Sequence, residues 1–340
     1  MAQAIKLNEL DNDFSSGSHR ESFSSAASLE DGSSDGSSDG SNCCEEVDSA
    51  VAEIVAELVD TSKVIPLSES IPYSVLMSVY AKDNPSFFDI ALQSILNQSL
   101  PPDELVVVCD GPVGEGIDDV IARYVQLNAV KLVVIRQEVN QGLGISLQNG
   151  LGYCSNEIIV RMDSDDVSRP DRCEHQVKRM VDEDLDLLGG FIEEFNQEPG
   201  DLGSIRALPL TREDIVRYSK KRNPFNHVAV AFRKSAVLAA GGYQHFRYLE
   251  DYYLWTRMIT NGCKCANMAE TLVDVRVGSG MYERRSNLLY LKSEIRFFNM
   301  LYKSGYIKGL DLIQTVSARC LVTLLPSSAV KGIYNKILRS

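Results

Sequence analysis

The chain has 340 residues, with 34 Lys and Arg against 47 Asp and Glu, a net charge of −13 and 44% hydrophobic residues. This composition is typical of a globular protein, and the length allows two or three domains or one α/β enzyme domain with appendages. Residues 1–70 hold 15 acidic and 3 basic side chains, which leaves a nearly neutral body without the clustered Lys and Arg that nucleic-acid binding requires.

The first 70 residues predict a disordered acidic tail. Ser, Gly and Asp dominate residues 15–49, and such a composition cannot bury enough apolar surface to offset the entropy of ordering. Apolar residues then recur at helical spacing from Val47 to Val59, which indicates a short helix over 47–60 that docks on the body or on a partner. The N-terminus lacks the pattern of a secretory signal and no apolar stretch of ~20 residues follows, so we expect a cytoplasmic protein.

From Tyr73 onward, short apolar runs alternate with helical patterns, which predicts βαβ units and a mainly parallel sheet. The predicted strands are YSVLMSVY (73–80), ELVVVCD (104–110), VKLVVIR (130–136) and EIIVRMD (157–163). Between them we predict a helix capped by Asn84 with Pro85 at its first position, a second around 117–127 and a third from about Gly144. Ligands of open α/β sheets bind beyond the carboxyl ends of the strands, so we expect the chemistry there.

Polar and acidic side chains follow each of these four strands. They are Tyr80 and Asp83, then Asp110, then Asn140, and finally the run MDSDD at 162–166. The carboxylates of MDSDD repel one another unless a cation or hydrogen-bond donors neutralise them, so the run suits an oxygen-ligated Mg²⁺ or Mn²⁺. The run alone leaves open a solvated acidic turn, with Asp166 capping the next helix.

The glycine patterns of dinucleotide and ATP sites are missing from these strand ends. No glycine lies between Tyr80 and Asn84, and in GLGISLQNG (142–150) Leu147 occupies the place of the third fingerprint glycine. The glycine-rich loop that ends in Lys and Ser or Thr is absent as well. Phosphates would then be held through a metal and scattered side chains, which favours a nucleotide-sugar site over ATP or NAD.

Five segments in chain order resemble the motifs of family 2 glycosyltransferases with a GT-A fold. They are SVYAKDNPSFFDIALQSILNQSLPPDELVVVCDG, NQGLGISLQNGL, RMDSDDVSRPDR, NPFNHVAVAFRKSAVLAAGGY and LEDYYLWTRM. The resemblance is strongest to bacterial enzymes that assemble capsule, exopolysaccharide and O-antigen repeat units. It implies a mixed, mainly parallel α/β sheet flanked by helices over residues 71–285. The residues of the following segment, 286–340, themselves predict helices of basic and apolar composition.

The resemblance also implies an inverting transfer, in which an acceptor hydroxyl attacks the anomeric carbon of a nucleotide sugar, expected to carry UDP. It assigns Asp165 to a divalent metal, Mn²⁺ or Mg²⁺, that stabilises the leaving diphosphate. It places Asp110 against the nucleoside and Asp163 near the ribose or the metal shell. The predicted nucleotide-sugar site consists of Tyr80, Asp83, Asp110, Asn140 and Asp163.

An acidic pair, Glu250 and Asp251, matches the position of the family's general base, and the resemblance assigns that role to Asp251. Locally, both acids stand at the start of a predicted helix with Leu254 and Met258 at helical spacing, where a helix cap is the alternative. We expect Glu250 and His227 on the acceptor side, although a lone His beside a strand is more often structural.

Other side chains remain open between two functions. Arg169 and Arg172 can pair with phosphate or neutralise the neighbouring acids, and both interpretations have equal support. Trp255 can stack on a sugar or lie in the core, and the core is favoured. A site on Cys263 and Cys265 has little support, because the eight cysteines show no CxxC pair and no metal-ligand spacing, as expected of reduced cytosolic thiols.

The chain after Arg284 predicts helices. The predicted apolar face consists of Leu288, Leu291, Ile295 and Phe298. Residues 306–340 hold five Lys or Arg against one acid, Asp311. This basic and apolar segment can lie on the cytoplasmic face of an anionic membrane or pack on the catalytic domain, and the two are equally supported.

The residues and the resemblance together lead us to expect a metal-dependent inverting glycosyltransferase that transfers a hexose from a UDP sugar to a saccharide acceptor, expected to be lipid-linked, in surface polysaccharide biosynthesis. A nucleotidyltransferase is disfavoured because no glycine-rich, basic phosphate loop follows the first strand. A non-catalytic nucleotide-sugar-binding subunit that recruits partners through its N-terminal tail is the non-enzyme alternative.

Overall fold

The computed structural model of the protein describes residues 71–277 and 288–324. The N-terminal tail with its predicted helix at 47–60, the predicted domain boundary at 285 and residues 325–340 lie outside the described residues. In the described ranges the strands are β1 (Tyr73–Val79), β2 (Glu104–Cys109), β3 (Lys131–Arg136), β4 (Ile158–Met162), β5 (Val167–Ser168), β6 (Leu187–Phe195), β7 (Ser204–Arg206), β8 (Ala231–Arg233) and β9 (Cys265–Arg276).

The helices alternate with these strands along most of the chain. They are α1 (Pro85–Leu96), α2 (Glu115–Leu127), α3 (Leu143–Tyr153), α4 (Arg172–Asp182), α5 (Arg212–Tyr218), α6 (Lys234–Ala239), α7 (Glu250–Thr260), α8 (Leu288–Lys303) and α9 (Gly309–Leu324). The cap predicted at Asn84 is confirmed, since its side chain accepts hydrogen bonds from the N–H groups of Ser86 and Phe87. The four predicted strands and the three helices between them are also confirmed, with bounds that differ by one or two residues.

One mixed sheet carries the site, with the strand order β3-β2-β1-β4-β8-β6-β9-β5 and with β7 paired to β6. Strands β1 to β4 are mutually parallel where they pair, so their carboxyl ends lie at one edge of the sheet. Strand β8 is antiparallel to both β4 and β6, and β6 is parallel to β9. The predicted mixed, mainly parallel sheet flanked by helices is confirmed.

Two apolar layers sandwich this sheet because successive side chains of a strand point to opposite faces. Val75 and Met77 of β1 pack in the layer under α1, α2 and α4, whereas Leu76 packs in the layer under α3 and α7. Trp255 of α7 is fully buried in the second layer, where its ring lies edge-on to Phe225 at 5.8 Å between centroids. The core interpretation of Trp255 is confirmed.

The C-terminal helices pack on α7 through a face that differs from the predicted one. The buried side chains of α8 are Glu294, Phe297, Phe298 and Leu301, whereas Leu288 and Ile295 are exposed. The predicted stripe is therefore wrong at Leu288 and Ile295, whereas Phe298 is buried and Leu291 is half-buried. Burial of the two large Phe rings outweighs burial of the smaller aliphatic side chains, and Arg319 of α9 neutralises the carboxylate of Glu294 that this orientation buries.

Helix α3 approaches the sheet closely at Gly150. A Cβ atom there would lie 2.5 Å from Cδ1 of Leu76 and 2.6 Å from Cγ2 of Val108, whereas Gly152 in the same helix has no neighbour within 4 Å. We expect Gly150→Ala to lower the free energy of unfolding by about 1–3 kcal/mol through overpacking. The matched control, Gly152→Ala, should raise it by about 0.5–1 kcal/mol because alanine favours the helix. Urea denaturation measures both, and equal stability of the two variants would contradict the close packing.

Candidate active site

The carboxyl ends of β1 and β4 are joined through Asp83. Its carboxylate accepts a hydrogen bond from the Ser164 hydroxyl at 2.7 Å and one from the Tyr80 N–H at 3.1 Å. The Tyr80 ring lies at the rim of this edge and is 39% exposed. Two segments far apart in sequence, the turn after β1 and the run MDSDD, therefore form one polar surface.

Asp110 fixes the loop that precedes α3 through hydrogen bonds. Its carboxylate accepts hydrogen bonds from the N–H groups of Gln141 at 2.6 Å and Gly142 at 3.0 Å, while the Asn140 amide donates to the Asp110 carbonyl oxygen at 3.1 Å. Gly111 has a φ of +83° and a Cβ there would lie 2.6 Å from the Asn140 nitrogen, so this approach requires glycine. Asp110 and Asn140 thus lie together, and contact of Asp110 with a nucleoside stays a prediction.

Asp163 is held by the residue two positions before it. The guanidinium of Arg161 forms a two-pronged ion pair with the Asp163 carboxylate, with 2.5 Å between Nη1 and Oδ2 and a second contact from Nη2 to Oδ1. Arg161 is buried, whereas the side chain of Asp163 is 34% exposed. The paired carboxylate therefore faces the opening of the site from a fixed position.

The remaining acids of MDSDD have different environments. Asp166 is buried and accepts a hydrogen bond from the Arg276 N–H at 2.8 Å, so the alternative in which it caps the next helix is wrong. Arg276, which supplies this donor, is the last residue of β9. No local pattern in the sequence indicates that it lies next to Asp166. Asp165 reaches solvent, and the Arg276 guanidinium contacts its backbone carbonyl oxygen at 3.2 Å. The Asp165 side chain is therefore accessible to a ligand.

A divalent cation fits this arrangement. Although the Asp165 side chain reaches solvent, desolvation by the surrounding protein is the largest cause that raises its pKa, to about 6, and the negative charges of Asp163 and Asp83 add to the rise. In the described parts of the chain no three His, Cys, Asp or Glu residues form a ready-made metal site. Magnesium-type sites need only one or two carboxylates together with substrate phosphates and water, so Asp165 and a bound diphosphate suffice as ligands.

The acidic pair lies at the start of α7. The Asn223 amide donates a hydrogen bond of 2.6 Å to Oδ2 of Asp251, and burial raises the pKa of this carboxyl above its ordinary value. Burial, followed by the charge of Asp251, raises the pKa of Glu250 to about 7. The Glu250 side chain also packs against Gly144, where a Cβ would lie 3.0 Å from the Glu250 Cβ. The pair therefore adjoins the loop held by Asp110.

His227 lies in an aromatic cluster with Tyr243 and Trp255. Its Nε2 atom is 3.0 Å from the Tyr243 hydroxyl, and its ring lies 5.9 Å from that of Trp255. Burial, and then the charge of Arg161, lowers the pKa of His227 well below its ordinary value, so the imidazole is neutral. These contacts favour a structural function, and contact with the acceptor stays a prediction.

The two arginines after MDSDD differ in function. Arg169 pairs with Asp274 at 2.6 Å and Glu193 at 2.8 Å, which favours the neutralisation of neighbouring acids. Arg172 is fully buried and donates from Nη2 to the carbonyl oxygens of Arg161 at 2.7 Å and Val228 at 2.9 Å. It therefore links β4 to the 3-10 turn at His227–Ala229 through hydrogen bonds. It neither faces a phosphate site nor neutralises a neighbouring acid, so both predictions for Arg172 are wrong.

Comparisons with known proteins identify the family and the fold of this chain. The sequence profile described as Glycosyl transferase family 2 matches residues 74–241. The UDP-Gal:alpha-D-GlcNAc-diphosphoundecaprenol beta-1,3-galactosyltransferase of Escherichia coli is 39% identical over 278 residues, which cover 80% of this chain and 99% of that enzyme. The chain belongs to glycosyltransferase family 2. The amylovoran biosynthesis glycosyltransferase AmsE of Erwinia amylovora is 37% identical to this family 2 chain over 270 residues. The match covers 78% of this chain and 98% of AmsE.

A solved structure supports the fold of this family 2 enzyme. The mannosyltransferase PcManGT from Pyrobaculum calidifontis, in complex with GDP-Man and Mn²⁺, superimposes with a TM-score of 0.51 and 16% sequence identity over 86% of this chain and 89% of that one. The predicted GT-A fold is confirmed. At this identity the likeness concerns the fold alone.

Sequence reasoning missed two side chains of the site. Arg161 was visible as a charged residue inside the otherwise apolar run EIIVRMD, and a charge within a buried strand is a signal for a buried ion pair. Asn223 gave no signal, because its contact with Asp251 spans 28 residues and depends on where α7 lies against the preceding loop. Both residues touch a predicted site carboxylate, so they extend the site rather than replace any of its members.

Proposed function

We propose that this family 2 enzyme transfers a hexose from a UDP sugar to a lipid-linked saccharide, with inversion at the anomeric carbon, in surface polysaccharide biosynthesis. The observation that carries the proposal is Asp251, a half-buried carboxylate at the start of α7 that is held by Asn223, next to the Glu250 side chain that packs against Gly144 of α3. The name of the E. coli relative supports UDP and a lipid-linked acceptor for that enzyme. Its UDP-Gal donor and beta product also support inversion, because UDP-galactose is an α-linked sugar phosphate.

In the proposed reaction the acceptor oxygen forms a bond to the anomeric carbon while the bond from that carbon to the diphosphate oxygen breaks. The electron pair of the broken bond leaves with UDP. The acceptor proton passes to the Asp251 carboxylate, whose Oδ2 accepts a hydrogen bond from the Asn223 amide. The aspartate would orient the acceptor hydroxyl and remove its proton from the same position.

The donor half of the proposed site uses the strand ends. Asp165 would hold a divalent metal together with the diphosphate, and the metal supplies charge stabilisation to the leaving group. The Mn²⁺ in the structure of the mannosyltransferase supports this assignment by analogy. Asp163, fixed by Arg161, faces the same edge and would orient the ribose, while Asp83 braces the turn after β1.

A donor screen tests this function. UDP-Gal, UDP-Glc, UDP-GlcNAc and UDP-GalNAc are incubated with a synthetic GlcNAc-diphospho-lipid, in Mn²⁺, Mg²⁺ or chelator, and UDP release and the glycolipid are measured. We expect one donor to give metal-dependent transfer and an anomeric configuration in the product opposite to that of the donor. Diphosphate release from a nucleoside triphosphate and a sugar phosphate would instead identify a nucleotidyltransferase. Donor binding without turnover would identify a binding subunit.

We also propose that α8 and α9 contact an anionic membrane on its cytoplasmic face, which would bring the site to a lipid-linked acceptor. Helix α9 exposes Leu310, Ile313 and Leu321 along one stripe, and α8 exposes Leu288 and Ile295. Exposed lysines accompany these apolar side chains, namely Lys292, Lys303 and Lys308. Apolar side chains with flanking Lys favour the surface of an anionic bilayer. None of the helices among the described residues is both long and apolar enough to span a membrane.

Vesicle flotation tests this surface. We expect the full chain to float with phosphatidylglycerol vesicles and Leu310→Glu combined with Ile313→Glu to lower the floating fraction at least about threefold, since two apolar contacts are lost and negative charge is added. The matched control is Val125→Glu combined with Val139→Glu, because these residues are 54% and 61% exposed on the sheet domain. Flotation of the two double variants to the same extent would contradict the proposal.

A further inference from the structure

The loop before α7, residues 244–250, connects the acidic pair with the C-terminal helices. Both ends of this loop lie beside α3, because a Cβ atom on Gly144 would lie 3.0 Å from Cβ of Glu250 and 3.5 Å from the Gln244 carbonyl oxygen. Between these ends, Phe246 is buried against an aromatic ring of α8. The loop therefore reaches from the acidic pair to the surface of α8.

A turn in this loop has a bulky residue at a position that suits glycine. The Leu249 N–H donates to the Phe246 carbonyl oxygen at 2.9 Å and closes the turn, in which Tyr248 has a φ of +71°. Residues with a Cβ atom are disfavoured in this left-handed region, whereas glycine adopts it freely. A turn that had only to lead into α7 would have less backbone strain with glycine at position 248. Such an outlier points to a function of the tyrosine ring.

The Tyr248 ring contacts two neighbours. It lies 5.6 Å from the ring of Tyr290 on α8, measured between centroids, and the guanidinium carbon of Arg247 lies 5.1 Å from its centroid. Tyr248 is half-buried, whereas Arg247 is exposed. Attraction between the guanidinium charge and the aromatic ring restricts the positions that the arginine side chain adopts. The ring therefore holds the Arg247 guanidinium close to the turn that leads to the acidic pair.

The positive charge on this turn is not used for an ion pair with the protein. Among the described residues no carboxylate pairs with Arg247, although Glu250 follows only three positions later. A second exposed guanidinium, that of Arg296 on α8, lies 5.5 Å from the Phe246 ring of the same turn. Guanidinium groups bind phosphate oxygens through paired N–H donors. The turn therefore suits an anion with several phosphate oxygens.

We propose that Arg247, with Tyr248 as its positioning residue, binds the diphosphate of the lipid-linked acceptor. This inference rests on the proposed function and names the part of the acceptor that the turn recognises. The turn immediately precedes Glu250 and Asp251, and it contacts α8, the helix that we propose to lie at the membrane. An acceptor held through its diphosphate at this turn would extend its lipid towards α8 and its sugar towards Asp251.

Arg247→Met tests the contact with the diphosphate. With the GlcNAc-diphospho-lipid we expect the acceptor KM to rise about tenfold and kcat to change little, because the lost contact is made before and during the reaction alike. The same lipid diphosphate without its sugar should inhibit transfer, and Arg247→Met should weaken that inhibition by a similar factor. UDP affinity in calorimetry should stay unchanged. Because Arg247 is exposed, we expect the variant to fold.

The matched control is Arg179→Met. Arg179 pairs with Glu183 on α4, which packs on the opposite face of the sheet from α7. The substitution removes the same charge from the chain, so it should change neither the acceptor KM nor the inhibition by the lipid diphosphate. An equal rise of the acceptor KM in both variants would overturn the inference, since a general loss of positive charge would then explain it.

Tyr248→Gly and Tyr248→Phe test the function of the ring. Glycine removes the backbone strain together with the ring, and we expect a folded variant whose acceptor KM is about threefold higher, because Arg247 is no longer oriented. Phenylalanine keeps the ring face, so Tyr248→Phe should retain the acceptor KM of the unaltered chain. A ring that served only to pack on Tyr290 would lower the midpoint of thermal denaturation in Tyr248→Gly and leave its acceptor KM unchanged.

The outcomes distinguish this inference from the proposed function. Absence of transfer with every UDP sugar in the unaltered chain would reject the function before any variant is compared. Transfer with an unchanged acceptor KM in folded Arg247→Met would reject the inference alone. Weaker UDP affinity in Arg247→Met would assign the arginine to the donor. Reduced flotation with phosphatidylglycerol vesicles and an unchanged acceptor KM would assign it to lipid headgroups, and either result would overturn the inference.

Discussion

Asp251→Asn is expected to lower kcat by about 10² to 10⁴ with little change in UDP affinity, because general bases contribute about that factor to proton transfer. The amide keeps the shape of the side chain and can still contact Asn223, so folding should be retained. What is lost is the acceptor for the proton of the sugar hydroxyl. The measurement is kcat with a saturating UDP sugar, with UDP affinity determined by calorimetry on the same samples.

Glu250→Gln is the matched control for this prediction. It changes the neighbouring acid by the same single atom, and it removes a charge that raises the pKa of neighbouring groups. We therefore expect most of the turnover to remain, with an acid limb that moves to lower pH. If Glu250→Gln abolished turnover and Asp251→Asn retained it, Glu250 would be the base and the assignment to Asp251 would be wrong.

Asp165→Asn is expected to lower kcat/KM by about 10² or more and to remove the Mn²⁺ dependence of UDP binding. The carboxylate lies where the charges of Asp163 and Asp83 accumulate, and a divalent cation at such a place is worth several kcal/mol to a developing diphosphate charge. UDP titrations with Mn²⁺, with Mg²⁺ and with chelator measure the effect. Thermal denaturation of the same variant checks that the fold is intact.

The control for Asp165 is Asp171→Asn. Asp171 is also an exposed acid at the carboxyl side of β4, and its side chain makes no capping hydrogen bond to α4. The Asp171→Asn variant should therefore bind UDP and Mn²⁺ as the unaltered chain does. Retention of normal Mn²⁺-dependent binding in Asp165→Asn, or an equal loss in Asp171→Asn, would show that the metal is held elsewhere or that the acids act only as a diffuse charge.

The parallel half of the sheet was predictable because local signals agree there. Strands β1 to β4 are apolar runs bounded by polar residues, and the cap at Asn84 and the proline at the start of α1 mark the first helix. The other half was not predictable in the same way. Strand β5 has two residues, and β9 pairs with segments about a hundred residues away, so neither carries a local pattern of its own.

The positions of the site residues followed from the topology, but their partners did not. Parallel strands bring Asp83, Asp110 and Asp163 to one edge, and the sequence alone indicates as much. Whether each carboxylate then meets a backbone N–H, a hydroxyl or a guanidinium is decided by loop conformation and by side chains distant in sequence. The wrong face predicted for α8 has the same origin, because aromatic contacts with α7 fix its rotation.

The docking of α8 on α7 also limits how this enzyme can diverge. The ring of Tyr252, the neighbour of Asp251, packs against Phe297 at a tilt of 47° with 4.5 Å between ring centroids, and its hydroxyl donates to the Ser219 carbonyl oxygen at 2.7 Å. The Ser219 hydroxyl in turn contacts Tyr306 at 2.5 Å. Helices α8 and α9, with the turn between them, therefore cannot be removed without the loss of contacts to the residue beside Asp251. In chimaeras built to exchange acceptor preference between relatives, α7, α8 and α9 should therefore be exchanged together.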